Sequence, residues 1–364
     1  MNRANQRILF EKIDSVNNPR SIHGLYPYRG KISAIDAANI IRQLPKEGTL
    51  LDPFSGSGTI VYEAQKHGLK AIGFDNNPLA FELSKAKVFT IDDKIIEETL
   101  EACNSIIEKA SLKLASGNYP DMPESPKKSF HDATASEIMC VSEFLQDMND
   151  YLKGAYYGAI ALTARGCNDY KWTSSTVGKN IEPKRYINFF EKFLDKTKKH
   201  LNYCNSINHE PASIYLGDSR RISEVIPEKS VDFVFTSPPY FDALDYTAYY
   251  GKLIYEIHNV DRVDIKKNLI QNISSYENDM RLVLDELDKI TKDDALIIFV
   301  VGDKKAKNGI INGGEFFDSI KKSSYIIERS YKGTSSQVFD TLNKTARKEQ
   351  IVVWDKKEGS ISTI

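Results

Sequence analysis

The chain has 364 residues, of which 41% are hydrophobic and 27% charged, with a formal net charge of −1. This is the composition of an ordinary soluble globular protein, long enough for one large domain or two modest ones. Its longest apolar run, Ala295 to Val301, is far too short to span a bilayer, and "MNRANQRILFEKID" lacks the apolar core of a secretory leader. Cys103, Cys140, Cys167 and Cys204 lie far apart with no CxxC pair, so neither a metal site nor disulfide staples are expected, and the expected location is the cytoplasm.

In chain order, "GTLLDPF" (48–54) reads as a strand and "GTIVYEAQKHG" (58–68) as a helix ending at a glycine cap. A second strand, "KAIGFD" (70–75), and a second helix, "NPLAFELSKAKVF" (77–89), follow. From about residue 93 to 211 the pattern is mostly helical, broken by the loop 116–129. Strand character returns at 212–218, 230–236, 294–303, 324–333 and 349–354. The alternation predicts an α/β fold: a doubly wound, mostly parallel, seven-stranded Rossmann-like sheet. Residues 1–92 and 212–364 would form its body, and 93–211 a helical insertion.

The small net charge conceals a polarity. Residues 93–150 carry 12 acids against 5 bases, whereas 151–210 carry 10 bases against 5 acids, interleaved with ten aromatics. A basic, aromatic-rich stretch suits phosphates and stacked bases, which makes Lys171, Lys179, Lys184 and Arg185 candidate DNA contacts. Two helices with solvated faces and buried aromatic stripes would give the same composition.

The first candidate site is "LLDPFSGSGT" (50–59). Gly56 and Gly58 directly follow a strand and open a helix, so a ligand can approach the backbone and its free N–H groups. Asp52 would repel phosphate and suits a cation such as the ammonium of an amino acid. Asp75 ends the second strand, where an acid accepts from ribose hydroxyls, and Asp218 ends the third, within reach of an adenine amine. Each acid alone also fits an N-cap or turn. Three at the carboxyl ends of successive strands describe an amino acid, a ribose and an adenine, that is, S-adenosylmethionine.

"TSPPY" (236–240) follows the buried strand "SVDFVF" and would lie beside that ligand. Paired prolines hold a rigid extended turn without N–H groups. The Ser237 hydroxyl and the carbonyls at Pro238 and Pro239 can accept from an exocyclic amine, and Tyr240 offers a face for an extruded base.

"DPFSGSGT", "GFDNNPLA", "GDSR" and "TSPPY" together resemble motifs I to IV of the amino-methylating DNA methyltransferases. "HGLYPYRGKISA" (23–34) resembles the segment that closes over the methionine end of the cofactor in that family, and "DYTAYYGKLIYEI" (245–257) the helix after the catalytic loop. The resemblance implies S-adenosyl-L-methionine as cofactor. It also implies cofactor contacts from Tyr26, Lys31, Asp52, Phe54, Gly56, Gly58, Thr59, Asp75, Asn76 and Asp218, and catalysis by Ser237, Pro238, Pro239 and Tyr240. The cofactor half precedes the catalytic half, as in the family's α arrangement, but the insertion precedes motif III instead of following it. By elimination, it is the expected target-recognition region.

No cysteine follows a proline, which disfavours carbon-5 cytosine chemistry. Serine before the prolines resembles the cytosine-N4 form of the family, whereas Asp or Asn is usual for adenine-N6, and some enzymes with serine modify adenine. The expectation is cytosine-N4 methylation of double-stranded DNA in a restriction-modification context, with a cognate endonuclease acting separately and no membrane involvement. Adenine-N6 methylation, RNA guanine-N2 methylation, protein or small-molecule methylation, and a non-catalytic DNA-binding module are the rivals.

Overall fold

The computed structural model describes residues 21–28, 32–164, 185–239, 247, 251–272, 274–306, 309–328 and 349–359. Seven strands form the main sheet: β1 (Thr49–Asp52), β2 (Lys70–Asp75), β3 (Ala212–Leu216), β4 (Val231–Thr236), β5 (Thr291–Gly302), β6 (Tyr325–Glu328) and β7 (Glu349–Asp355). Their spatial order is β3-β2-β1-β4-β5-β7-β6. β1 pairs in parallel with β2 and β4, β2 with β3, and β4 with β5. β7 runs antiparallel to both β5 and β6. This is the predicted doubly wound, mostly parallel sheet. β2 and β3 extend it to one side of β1, and β4 and β5 to the other. The crossovers therefore diverge at β1 and β4 and leave a crevice at their carboxyl ends.

Alternation along the strands divides the core between two faces. On one face lie Leu50, Phe233, Phe235, Ile298, Val300, Ile351 and Val353. On the other lie Leu51, Val234, Ile297, Phe299, Val301, Val352 and Trp354. All are buried, each large apolar side chain contributing about 1.5–3 kcal/mol. The first face carries helices α1 (Ala34–Ile41), α2 (Thr59–His67) and α3 (Pro78–Lys87).

The helices predicted for residues 93–211 include α4 (Asp93–Ser116), α5 (Asp132–Ser142), α6 (Asp150–Thr163) and α7 (Phe189–Leu201). They extend the first face's apolar cluster without a break. Two glycines on α6 set the contact: a Cβ at Gly154 would lie 2.4 Å from the Ala86 Cβ on α3, and one at Gly158 would lie 2.1 Å from the Leu25 carbonyl oxygen. The 21–28 segment is thereby held between helices, with Lys196 Nζ donating to the Gly24 carbonyl at 3.1 Å. The second face is covered by α8 (Tyr276–Ile290) and α9 (Gly313–Ile320). Among the described residues no helix is long and apolar enough to cross a membrane, and no cluster of His, Cys, Asp and Glu could hold a metal ion.

Candidate active site

A cleft that opens to solvent lies at the carboxyl ends of β1, β2 and β4. β1 ends in Asp52, which is 2% exposed. Its Oδ1 accepts from Thr236 Oγ1 at 2.6 Å and from the Phe54 N–H at 3.1 Å. Burial outweighs both bonds and pushes the carboxyl up to about 7, with Asp75 nearby raising it further. An opposite charge placed beside such a group favours its ionised form and lowers its pKa again.

The turn after β1 needs its glycines. Gly58, the N-cap of α2, has φ +74°, and a Cβ there would lie 2.9 Å from the Ser84 Cα. Gly56 has φ +51° and lines the cleft. Its N–H donates to Asp75 Oδ2 at 2.8 Å, while Asp75 Oδ1 accepts from the Asn77 N–H at 2.9 Å. Burial raises Asp75 to about 6 despite these donors. Each oxygen keeps a lone pair for a ligand hydroxyl.

α3 grips the same turn from behind. Ser84 Oγ donates to the Gly56 carbonyl at 2.9 Å, and the buried Lys87 ammonium donates to Ser57 Oγ at 3.1 Å and Thr59 Oγ1 at 3.3 Å. The Ser219 hydroxyl donates to the Pro53 carbonyl, tying the segment after β3 to the segment after β1.

The cleft lining brings together Asp52, Phe54, Gly56, Thr59, Asp75, Asn76, Ser237 and Pro239 from the sequence expectation. Gly58 and Pro238 stand beside the lining without being part of it, Pro238 being buried. Asp218 is displaced from the lining: its carboxylate takes the Arg220 Nε at 2.9 and 3.0 Å, and its neighbour Ser219 faces the cleft. Tyr26 packs in the apolar cluster and is not part of the lining, whereas Tyr28, two residues on, is. Lys31, Tyr240, Lys171, Lys179 and Lys184 lie outside the described residues. Arg185 is exposed next to Tyr186, which bonds Glu137 Oε1 at 2.5 Å.

Residues 36–297 match the family model described as D12 class N6 adenine-specific DNA methyltransferase. The chain belongs to this family. It is similar to the Type II methyltransferase M.MvaI of Kocuria varians, 24% identical over 333 residues, which cover 83% of this chain and 72% of that protein. It is also similar to M.MjaII of Methanocaldococcus jannaschii, 21% identical over 93% of this chain and 80% of that one. The rRNA methyltransferase AviRa of Streptomyces viridochromogenes overlays with a TM-score of 0.34 at 14% identity, covering 93% of this chain and 90% of that one. That likeness is too remote to carry an argument.

This DNA methyltransferase uses S-adenosylmethionine, and the donor set of the cleft fits that cofactor. A buried carboxyl with a raised pKa, that of Asp52, ends one strand, and a second, that of Asp75, stands at the end of the neighbouring strand. Apolar walls are supplied by Phe54, Leu269 and Ile270. Sequence reasoning missed Tyr28, Leu269 and Ile270. Tyr28 belongs to the quoted "LYPY" stretch, where its spacing from Tyr26 was the available signal. Leu269 and Ile270 follow a short polar helix and match no motif, so nothing local marks them.

Proposed function

We propose that the protein transfers a methyl group from S-adenosylmethionine to the exocyclic N4 amine of cytosine, in a base turned out of double-stranded DNA. The observation that carries this reading is the placement of Ser237, which follows β4 and lines the same cleft as Asp52 and Asp75. When bound, the cofactor supplies an electrophilic methyl group on sulfonium sulfur. Asp52 holds its ammonium, Asp75 its ribose hydroxyls, and the segment around Asp218 and Ser219 its adenine.

The Ser237 hydroxyl and Pro238 carbonyl accept the hydrogens of the target amine. This turns the lone pair toward the cleft, and both oxygens stabilise the positive charge that develops on the nitrogen as the new C–N bond forms and the methyl–sulfur bond breaks to leave a neutral thioether. The amine then loses one proton past these acceptors to solvent. Tyr240, by its place in the motif, stacks on the base. Serine at position 237 supports cytosine-N4. The description of the matching family model supports the second reading, adenine-N6. Residues 93–211 are assigned to reading the DNA, with Lys171, Lys179, Lys184 and Arg185 on phosphates. The names of the relatives support a restriction-modification role with a separately acting endonuclease.

The deciding experiment is single-turnover transfer of labelled methyl to duplexes that differ only in the candidate base. Transfer to cytosine is expected. Transfer confined to adenine moves the assignment to N6, and no transfer to any duplex rejects the reading.

A further inference from the structure

The Tyr276 hydroxyl donates to the carbonyl of Pro239 at 2.6 Å. Pro238 and Pro239 have no N–H groups, so this part of the loop cannot secure itself through its own backbone donors. The tie comes instead from the first residue of α8, a tyrosine only 3% exposed. Its ring is held within the apolar cluster of this face, and the partly buried ring of Phe316 lies at its side with centroids 5.7 Å apart. One turn further along α8, Asp279 Oδ1 takes Arg220 Nη1 at 2.8 Å, and Arg220 grips Asp218. One helix start thus holds both the segment assigned to the adenine and the loop assigned to the target amine.

We infer that Tyr276 is a positioning residue for methyl transfer: its hydroxyl sets the Pro239 carbonyl and, through the stiff Pro-Pro unit, the aim of the Pro238 carbonyl and Ser237 hydroxyl. The inference rests on the proposed role of Ser237. The ring of Tyr276 serves the core whatever the hydroxyl does, so the two contributions separate when the oxygen alone is removed. Small misplacements of an acceptor lower the rate of the chemical step and leave ground-state binding largely intact.

The test is Tyr276→Phe, which keeps the ring, assayed beside Ser237→Ala and Phe316→Leu. The Tyr276→Phe single-turnover rate should fall about tenfold, the scale of one directional hydrogen bond, while calorimetric affinity for S-adenosylmethionine stays within about twofold. Phe316→Leu loosens the ring's packing but spares the hydroxyl, and should keep the rate within about twofold. A wild-type rate in Tyr276→Phe with a slow Ser237→Ala overturns this inference alone. Wild-type rates in both overturn the reading of the loop. A loss of cofactor affinity as large as the loss of rate, or an equal slowing in Phe316→Leu, makes Tyr276 a structural support only and overturns the inference.

Discussion

Thr236 donates its hydroxyl to Asp52 at 2.6 Å, across 184 residues of chain. The last residue of β4 is thereby joined to the last residue of β1, so the glycine turn after β1 and the loop that begins at Ser237 are tied at their starts by one hydrogen bond. Both residues are buried, and the bond spans the point where the strand order reverses.

Cofactor affinity should rise with pH. Burial holds Asp52 up at about 7, so below that value the carboxyl is protonated and cannot pair with an ammonium. Between about pH 5.5 and 7 the affinity should strengthen, by at most about tenfold per unit for this one group, with Asp75 adding a step near its own value of about 6. The unliganded protein should behave oppositely. A folded-state pKa raised above the unfolded value gives stability that is present in acid and is lost as pH rises through about 7. Calorimetric titration and thermal melts across this range check both signs, and Asp52→Asn should remove the upper step.

Asp75→Ala should weaken S-adenosylmethionine binding by about 1–3 kcal/mol, because it removes an acceptor and leaves the Gly56 N–H without its present partner. Unchanged affinity in a calorimetric titration would take Asp75 out of the site.

Gly158→Ala should destabilise the whole fold. The added methyl would meet the Leu25 carbonyl at 2.1 Å, so α6 must move off the 21–28 segment, at a cost of about 1–3 kcal/mol for overpacking. A single lowered melting transition is expected, since α6 shares its apolar cluster with the sheet. An unchanged melting temperature would contradict that packing.

Ser237→Ala should slow methyl transfer more than it weakens DNA binding, and Tyr240→Ala should remove about 1–3 kcal/mol of base stacking while sparing cofactor affinity. Undiminished transfer by both variants would reject the catalytic assignment.

Replacing Lys184 and Arg185 together with Ala should lower DNA affinity and reduce the slope of log affinity against log salt by up to about 2 units. An unchanged slope in a folded variant would return the segment to a merely solvated face.

The strand and helix alternation and the order of the motifs were legible in the sequence because they depend on local periodicity. Buried strands must be apolar, a left-handed turn needs glycine, and prolines end a ladder, so the core of β1, β2, β4 and β5 and the places of Asp52, Asp75 and Ser237 at or just after strand ends follow from spacing. What the sequence could not show is which distant groups satisfy each buried polar atom. The bond of Thr236 to Asp52, that of Arg220 to Asp279, and the contacts of Lys87 with Ser57 and Thr59 join residues with no local relation. The exchange of Tyr26 for Tyr28 in the cleft wall has the same origin. The "LYPY" pattern offers either ring, and the close seat of Leu25 under Gly154 and Gly158 fixes where that segment sits. Local chemistry specifies which groups are present; close packing between elements far apart in the chain decides which of them meet.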